Sequence, residues 1–186
     1  MPKISESKIL IMSTHGFEQS ELFTPLTKLR EAGAEVHVAT LDGEAIKGWS
    51  GDNWGDSANA DLKIADVSVA NYDALVLPGG QINPDILRTD ETAVSLIRQF
   101  VTGNKIVAAI CHAPWLLIEA GVAKGREMTS YHSIRTDLEN AGANVVDKQV
   151  ATSNGIITSR NPDDLDAFVA KIIEEVEEGE HEREAA

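Results

Sequence analysis

Apolar runs rich in β-branched residues alternate along the chain with segments whose apolar residues recur at helical spacing. The apolar runs predict buried strands at residues 8–13, 35–41, 73–78, 105–110 and 156–158. The helical spacing predicts helices at residues 18–32, 89–102, 114–120, about 133–140 and 162–178. Because strands and helices alternate, we expect an α/β fold with a mostly parallel, doubly wound sheet.

The remaining segments predict smaller elements around this sheet. Residues 42–68 are polar and weakly periodic, which predicts short strands and loops over one sheet edge. Further short strands are predicted near Met128 and at residues 144–146 and 149–152. We find no internal repeat and no linker, so we interpret residues 1–186 as one domain with a core from about residue 8 to residue 173.

Composition and charge exclude some classes of function. Apolar residues make up 42% and charged residues 25% of the 186 residues, an ordinary balance for a globular domain. The net charge of −14 argues against nucleic-acid binding, which needs a basic face. From residue 174 onward, seven Glu and one Arg carry −6 of that charge, and we expect this acidic tail (residues 174–186) to be a frayed helix end that aids solubility.

The sequence predicts no membrane contact and no metal or cofactor. No run approaches the ~20 apolar residues that span a bilayer. The first residues, MPKISESKILIMS, carry no small-residue cleavage site, so a cytoplasmic location is expected. The single cysteine excludes an intramolecular disulfide and a cysteine-based zinc cluster.

Unusual residues follow three of the predicted strands. In open parallel sheets, functional sites lie in the loops at the carboxyl ends of the strands. They are Gly16-Phe17-Glu18, Pro78-Gly79-Gly80 and Cys111-His112. Small residues flank Cys111, as a sharp strand-to-helix elbow requires. A cysteine at a helix N-terminus meets unpaired backbone N–H groups that favour the nucleophilic thiolate. By residue type alone Cys111 is better interpreted as a small core residue; the elbow reverses this preference and favours the reactive role.

The neighbouring residues each have a functional and a structural interpretation. His112 is suited to be a base or to steady a thiolate, and Glu18 to be a carboxyl facing Cys111, but both residues also suit a helix start. Gly79 and Gly80 offer backbone N–H groups for an oxyanion hole or form a simple turn. The remaining candidates are Trp115, Tyr131 and His132 as pocket-lining residues and Asp85 as a possible acid in a short helical turn, with surface or capping roles as alternatives.

The motifs together resemble the ThiJ/PfpI superfamily, and its PfpI branch in particular. The resemblance runs from about residue 8 to residue 173. It rests on residues 16–22 (GFEQSEL), 75–80 (LVLPGG) and 109–114 (AICHAP), with weaker similarity at 129–131 and 139–143. It implies a flavodoxin-like three-layer sandwich related to class I glutamine amidotransferase domains.

The resemblance also implies roles for individual residues. It makes Cys111 the nucleophile and Glu18 the carboxyl bonded to its sulfur, with the N–H groups of Gly80 and His112 in the oxyanion hole. An acid from a neighbouring subunit completes a Cys-His-acid triad in PfpI-type members. Asp85 is the nearest match, although its loop is one residue longer and Asp replaces the usual Glu. A homodimer, or a hexamer, is implied.

Two classes of function follow, and a third remains open. The first is a stress-response cysteine hydrolase acting on a small carbonyl, peptide or protein substrate: a peptidase, or a deglycase or glyoxalase. The second is a redox-sensing or chaperone-like stress protein in which Cys111 is oxidised instead of turning over substrate. The third is an inert interaction module.

Overall fold

The computed structural model describes residues 3–179. Its main sheet has seven strands in the order β10-β11-β7-β6-β1-β2-β5, all parallel except for the antiparallel edge strand β10. These strands are β1 (Lys8–Met12), β2 (Glu35–Thr40), β5 (Leu62–Lys63), β6 (Ala74–Leu77), β7 (Ile106–Ile110), β10 (Ala151–Ser153) and β11 (Ile156–Ser159). Two smaller pairs complete the strands: an antiparallel hairpin of β3 (Ile46–Ser50) and β4 (Asn53–Ala58), and parallel β8 (Glu127–Met128) and β9 (Asn144–Val145).

Helices cover both faces of the main sheet. They are α1 (Gln19–Glu31), α2 (Ile82–Leu87), α3 (Glu91–Thr102), α4 (Pro114–Glu119), α5 (Arg135–Asn140) and α6 (Leu165–Glu178). One buried cluster contains Phe100 of α3 and Leu117 of α4, and the other contains Leu22 of α1 and Phe168 of α6. The structure thereby confirms the predicted doubly wound, flavodoxin-like three-layer sandwich.

The central strands are continuous apolar runs because helices bury them on both faces. Every residue of β6 and β7 is buried, and their side chains alternate between the two clusters. Strand β1 pairs with β2 on one side and with β6 on the other, so the chain reverses its winding direction beside β1. The loops after β1, β6 and β7 therefore open into one crevice at the carboxyl edge.

The polar segment after β2 forms the β3–β4 hairpin and connects it to the loop after β1. The N–H of Trp49 donates to the carbonyl of Phe17 at 2.7 Å, and the N–H of Gly16 donates to the carbonyl of Lys47 at 2.8 Å. The Phe17 ring is fully buried beneath Gly48, where any Cβ would lie 2.9 Å from the ring. The hairpin is therefore anchored beside the crevice and brings Trp49 towards it.

Among the boundaries that differ from the predicted ones, two concern α2 and α6. A short helix, α2, follows Gly80 and includes Asp85, where the sequence indicated only a helical turn. Helix α6 begins at Leu165 and not at the predicted residue 162. The residues before it, Pro162–Asp164, form a 3₁₀ turn, which the Asn161 side chain caps by accepting the N–H of Asp163. The helix ends at Glu178. The predicted frayed tail is thus helical through residue 178, and its last residues, 180–186, lie outside the described residues.

Candidate active site

The chain turns sharply at Cys111, between β7 and α4. Cys111 has a φ of +64°, a left-handed conformation that a residue with a Cβ rarely adopts. Hydrogen bonds on both sides hold it there: its N–H donates to the carbonyl of Ser159 at 3.0 Å, and its carbonyl accepts the N–H of Tyr131 at 2.8 Å. Cys111 is only 6% exposed. The predicted elbow is therefore present, and two other segments of the chain hold its backbone in place.

The carboxyl beside the sulfur belongs to Glu21 and not to Glu18. Glu21 is fully buried, its Oε2 accepts the Gly79 N–H at 2.8 Å, and its carboxyl interacts with the Cys111 thiol. Its other oxygen, Oε1, meets no nitrogen or oxygen donor among the described residues. The expectation that Glu18 bonds the sulfur is corrected accordingly.

The position of each acid on helix α1 explains why Glu21, and not Glu18, lies beside the sulfur. Glu18 has extended backbone angles at the N-cap of α1, where its half-buried carboxyl accepts the Ser20 hydroxyl at 3.3 Å and lines the crevice. Glu21 lies within the first turn, on the buried face that continues through Leu22, Pro25 and Leu29. An acid on the apolar face of the helix is the sequence signal that could have identified Glu21, which the sequence analysis did not select.

Burial controls the protonation of Glu21. Burial is the largest cause that raises the pKa of its carboxyl to about 8, and the charge of Glu18 adds to the increase, while the hydrogen bond from Gly79 opposes it. The carboxyl is therefore mostly protonated at neutral pH. A protonated carboxyl donates a hydrogen bond to the sulfur instead of repelling its negative charge.

The thiol of Cys111 does not gain the low pKa that its place before a helix predicts. Burial is the largest cause that raises the pKa of the thiol, and Glu21 raises it further where its carboxyl is ionised. The backbone N–H groups of Gly80 and His112 lower it but are outweighed. Helix α4 contains only six residues, so its dipole is weak against these effects. The thiolate must form by proton transfer to a neighbouring base.

The imidazole of His112 is in contact with the sulfur. Its Nδ1 lies 3.1 Å from Cys111 Sγ, and its ring stacks on Tyr131 with 4.7 Å between the centroids. The ring of Trp115 packs against another side of the imidazole in a T-shaped arrangement, with 5.2 Å between the ring centroids. Burial, as the largest cause, and the charge of His132 lower the pKa of His112, so the imidazole is neutral and able to accept a proton.

Two glycines allow the loop after β6 to approach the elbow. A Cβ on Gly79 would lie 2.5 Å from Glu21 Oε2 and 2.6 Å from the Ile110 carbonyl oxygen. Gly80 has a φ of +78°, and its Cβ would lie 2.5 Å from the Gly16 carbonyl oxygen. Only glycine fits either position. The close approach brings the Gly80 N–H, like that of His112, within hydrogen-bonding reach of the Cys111 sulfur.

A crevice of about 510 Å³ gives access to this sulfur. Its wall is formed by side chains and backbone from all three loops, the hairpin and the loop before α6: Gly16, Glu18, Glu21, Trp49, Gly51, Gly80, Gln81, Ile82, Cys111, His112, Tyr131 and Pro162. The predicted pocket residues Trp115 and His132 lie against the rings of His112 and Tyr131. Trp49 is a lining residue that the sequence analysis did not select, because its position depends on the hairpin.

Asp85 is exposed on α2, and the hydrogen bonds of His112 go to other groups. That Asp85 reaches the site of a second chain stays a prediction. No helix between residues 3 and 179 is long and apolar enough to cross a membrane. In the same range, no cluster of His, Cys, Asp or Glu side chains is arranged to hold a metal ion.

The raised pKa of Glu21 makes stability depend on pH. In the unfolded chain the carboxyl titrates near 4.5, and in the folded chain near 8. The contribution of the neutral Glu21 carboxyl to the free energy of unfolding is complete below pH 4.5. It is lost as the pH rises through 8, at a rate of at most ~1.4 kcal/mol per pH unit.

We expect Glu21→Gln to remove this decrease in the free energy of unfolding. The measurement is the free energy of unfolding in urea from pH 5 to 7.5, a range in which the thiol is protonated in both states. Glu31→Gln removes an exposed charge of the same helix and should keep the wild-type slope; equal slopes for all three proteins would contradict a buried neutral Glu21.

Comparisons with known proteins agree with this fold and site. The DJ-1/PfpI family model matches residues 7–175. The chain is 42% identical over 166 residues to Deglycase TK1284 of Thermococcus kodakarensis, covering 89% of this chain and 97% of that protein. It is 44% identical over 163 residues to General stress protein 18 of Bacillus subtilis, covering 87% and 92%. The crystal structure of Drosophila melanogaster DJ-1beta superposes with a TM-score of 0.84 at 34% identity, covering 95% of this chain and 91% of that one. The resemblance noted in the sequence is confirmed: the chain belongs to the DJ-1/PfpI family.

Proposed function

We propose that the protein is a cysteine hydrolase of the stress response, acting on amides or glyoxal-derived adducts of proteins. The observation that carries the proposal is the surroundings of one sulfur. Cys111 Sγ has a base at 3.1 Å, a protonated carboxyl beside it and two backbone N–H groups aimed at it, at the bottom of an open crevice. These are the parts that covalent catalysis by a thiol requires.

The first step is addition of the sulfur to a carbonyl carbon. As the C–S bond forms, the carbonyl π pair moves onto oxygen and the thiol proton moves to His112 Nδ1. The N–H groups of Gly80 and His112 are the donors for the oxyanion. The neutral carboxyl of Glu21 steadies the sulfur without adding charge.

For an amide, collapse of this intermediate completes the transfer. The C–N bond breaks, the amine leaves with the proton from His112, and a thioester remains on Cys111. Water, activated by the same imidazole, then adds to the thioester carbonyl, releases the acid and returns the proton to sulfur. A carbonyl of a glyoxal-derived adduct is open to the same first step.

The substrate class rests on the crevice and on the relatives. Trp49, Ile82 and Tyr131 provide apolar surface, and the charge of Glu18 in the same crevice disfavours an anionic substrate. A relative named a deglycase matches almost the full length of the chain. We therefore favour deglycase activity on neutral or cationic protein adducts, with peptidase activity as the second form of the same chemistry.

Substitution of the nucleophile and the base tests the mechanism. We expect Cys111→Ala to abolish turnover of methylglyoxal-modified peptides and of unmodified peptides. His112→Ala should lower kcat/KM by roughly 10²–10⁴, the usual contribution of a general base. His37→Ala is the matched control, because that histidine lies on β2, where it bonds to Tyr72, and its loss should leave the rate unchanged. Residual turnover in Cys111→Ala equal to that of the wild type would rule out the cysteine mechanism.

A redox role is the second candidate, because Cys111 is the single cysteine of the chain and has a carboxyl beside it. Attack of the thiolate on a peroxide forms an S–O bond, breaks the O–O bond and releases hydroxide, giving a sulfenic acid. With no second cysteine in the chain to trap it, the sulfenic acid attacks a second peroxide, which forms another S–O bond, breaks another O–O bond and releases water. The resulting sulfinic acid can accept a hydrogen bond from Glu21. The relative named a general stress protein accords with this role.

Intact-mass measurement after mild peroxide treatment tests the redox role. We expect addition of two oxygen atoms in the wild type and slower, less complete addition in Glu21→Ala, which lacks the carboxyl donor. Glu31→Ala is the control, since its side chain is exposed at the far end of the same helix. A Cys111 that stays reduced at peroxide levels that oxidise free cysteine would rule out this role.

A further inference from the structure

The second ring nitrogen of His112 has a partner that the sequence analysis did not consider. His112 Nε2 lies 3.3 Å from the hydroxyl oxygen of Ser133, at the other end of the ring from Cys111 Sγ. Ser133 lies in the 3₁₀ turn His132–Ile134, directly after Tyr131, whose ring stacks on the imidazole. One short segment thus contacts both the face and the outer nitrogen of His112.

We propose that Ser133 is a positioning residue that keeps the proton of neutral His112 on Nε2, so that Nδ1 faces the thiol as an acceptor. The inference rests on the proposed function, in which His112 is the base. It assigns to this chain's own serine the place at the imidazole that the resemblance gives to an acid from a second chain.

The hydrogen bonds around the sulfur determine the tautomer. The sulfur accepts hydrogen bonds from the backbone N–H groups of Gly80 and His112. It also interacts with the carboxyl of Glu21, which is protonated at neutral pH. The thiol proton therefore needs an acceptor, and His112 Nδ1, at 3.1 Å, is available. A neutral imidazole has one donor and one acceptor nitrogen. With Nδ1 accepting, Nε2 carries the hydrogen and donates it to the Ser133 oxygen.

The same contact serves both charge states of the imidazole. After Nδ1 takes the thiol proton, the Nε2–H still donates to Ser133, so no group has to rotate during the transfer. Tyr131 on the face and the edge of Trp115 prevent the ring from turning over. The hydroxyl therefore fixes the direction of proton transfer while the aromatic rings fix the plane.

The charged groups near His112 show why a neutral partner matters. Glu18 lines the same crevice, Glu21 lies behind the sulfur, and His132 adjoins Tyr131 and lowers the pKa of His112 by its charge. Ser133 orients the ring without adding a charge. A carboxylate at this place would favour the imidazolium and raise the pKa of His112.

The test is the alkylation rate of Cys111 by iodoacetamide against pH, followed by intact mass on the full chain. In this reaction the C–S bond forms, iodide leaves and the proton passes to His112, so the rate reports the Cys–His pair without a substrate. We expect Ser133→Ala to slow alkylation at pH 7 by roughly tenfold, part of the effect of losing the base. Ser133→Thr, which keeps the hydroxyl, should restore the rate, and Ser133→Asp should shift the pH profile upward. Ser133 is exposed, so thermal unfolding should not change in these variants.

Two further variants separate the possible failures. His112→Ala should be slow, and Asp85→Asn should match the wild type if the chain supplies its own partner for Nε2. Slow alkylation in His112→Ala with wild-type rates in Ser133→Ala would overturn the role of Ser133 and leave the proposed function intact. Slow alkylation in Asp85→Asn with a normal Ser133→Ala would also overturn it, in favour of an acid from a second chain. A wild-type rate in His112→Ala would refute the Cys–His pair itself.

Discussion

The buried carboxyl of Glu21 is the contact on which the arrangement of the site depends. Its Oε2 accepts the Gly79 N–H, and the same group lies against the Cys111 sulfur. One side chain thus joins helix α1, the loop after β6 and the elbow after β7. Burial makes an ionised carboxyl costly at this depth, and the group avoids that cost by staying protonated. The protonation that suits the fold is also the one that provides a hydrogen-bond donor to sulfur.

The strained backbone of Cys111 follows from the same arrangement. Left-handed backbone geometry at a residue with a Cβ costs of order 1–3 kcal/mol and persists only where neighbours hold it. The carbonyl of Ser159 and the N–H of Tyr131 do so on the two sides of the residue. The sulfur is thereby held in a place where solvent is largely excluded and where burial raises the pKa of its thiol. In the proposed mechanism Cys111 is therefore a thiol activated by the adjacent imidazole, which differs from a permanent thiolate at a helix end.

The fold and the location of the site could be predicted from the sequence because both depend on local pattern. Buried parallel strands appear as apolar runs, and the carboxyl ends of neighbouring strands meet in any sheet of this kind. The identity of the carboxyl could not be predicted as securely. Glu18 and Glu21 lie within one helical turn, and the exact start of α1 decides which of them faces the elbow. Trp49 and Ser133 were missed because a hairpin docked on Phe17 and a 3₁₀ turn after Tyr131 bring them to the site. Those contacts depend on tertiary packing.

The account depends most directly on the protonation state of Glu21, which infrared difference spectroscopy can observe without substrate. We expect a carbonyl stretch of a protonated carboxylic acid in the wild type at pH 7. The band should be absent from Glu21→Gln and should fade as the pH rises through about 8. A Glu21 that is already ionised at pH 6, with no such band to lose, would contradict the central claim that a buried neutral acid holds the sulfur in place.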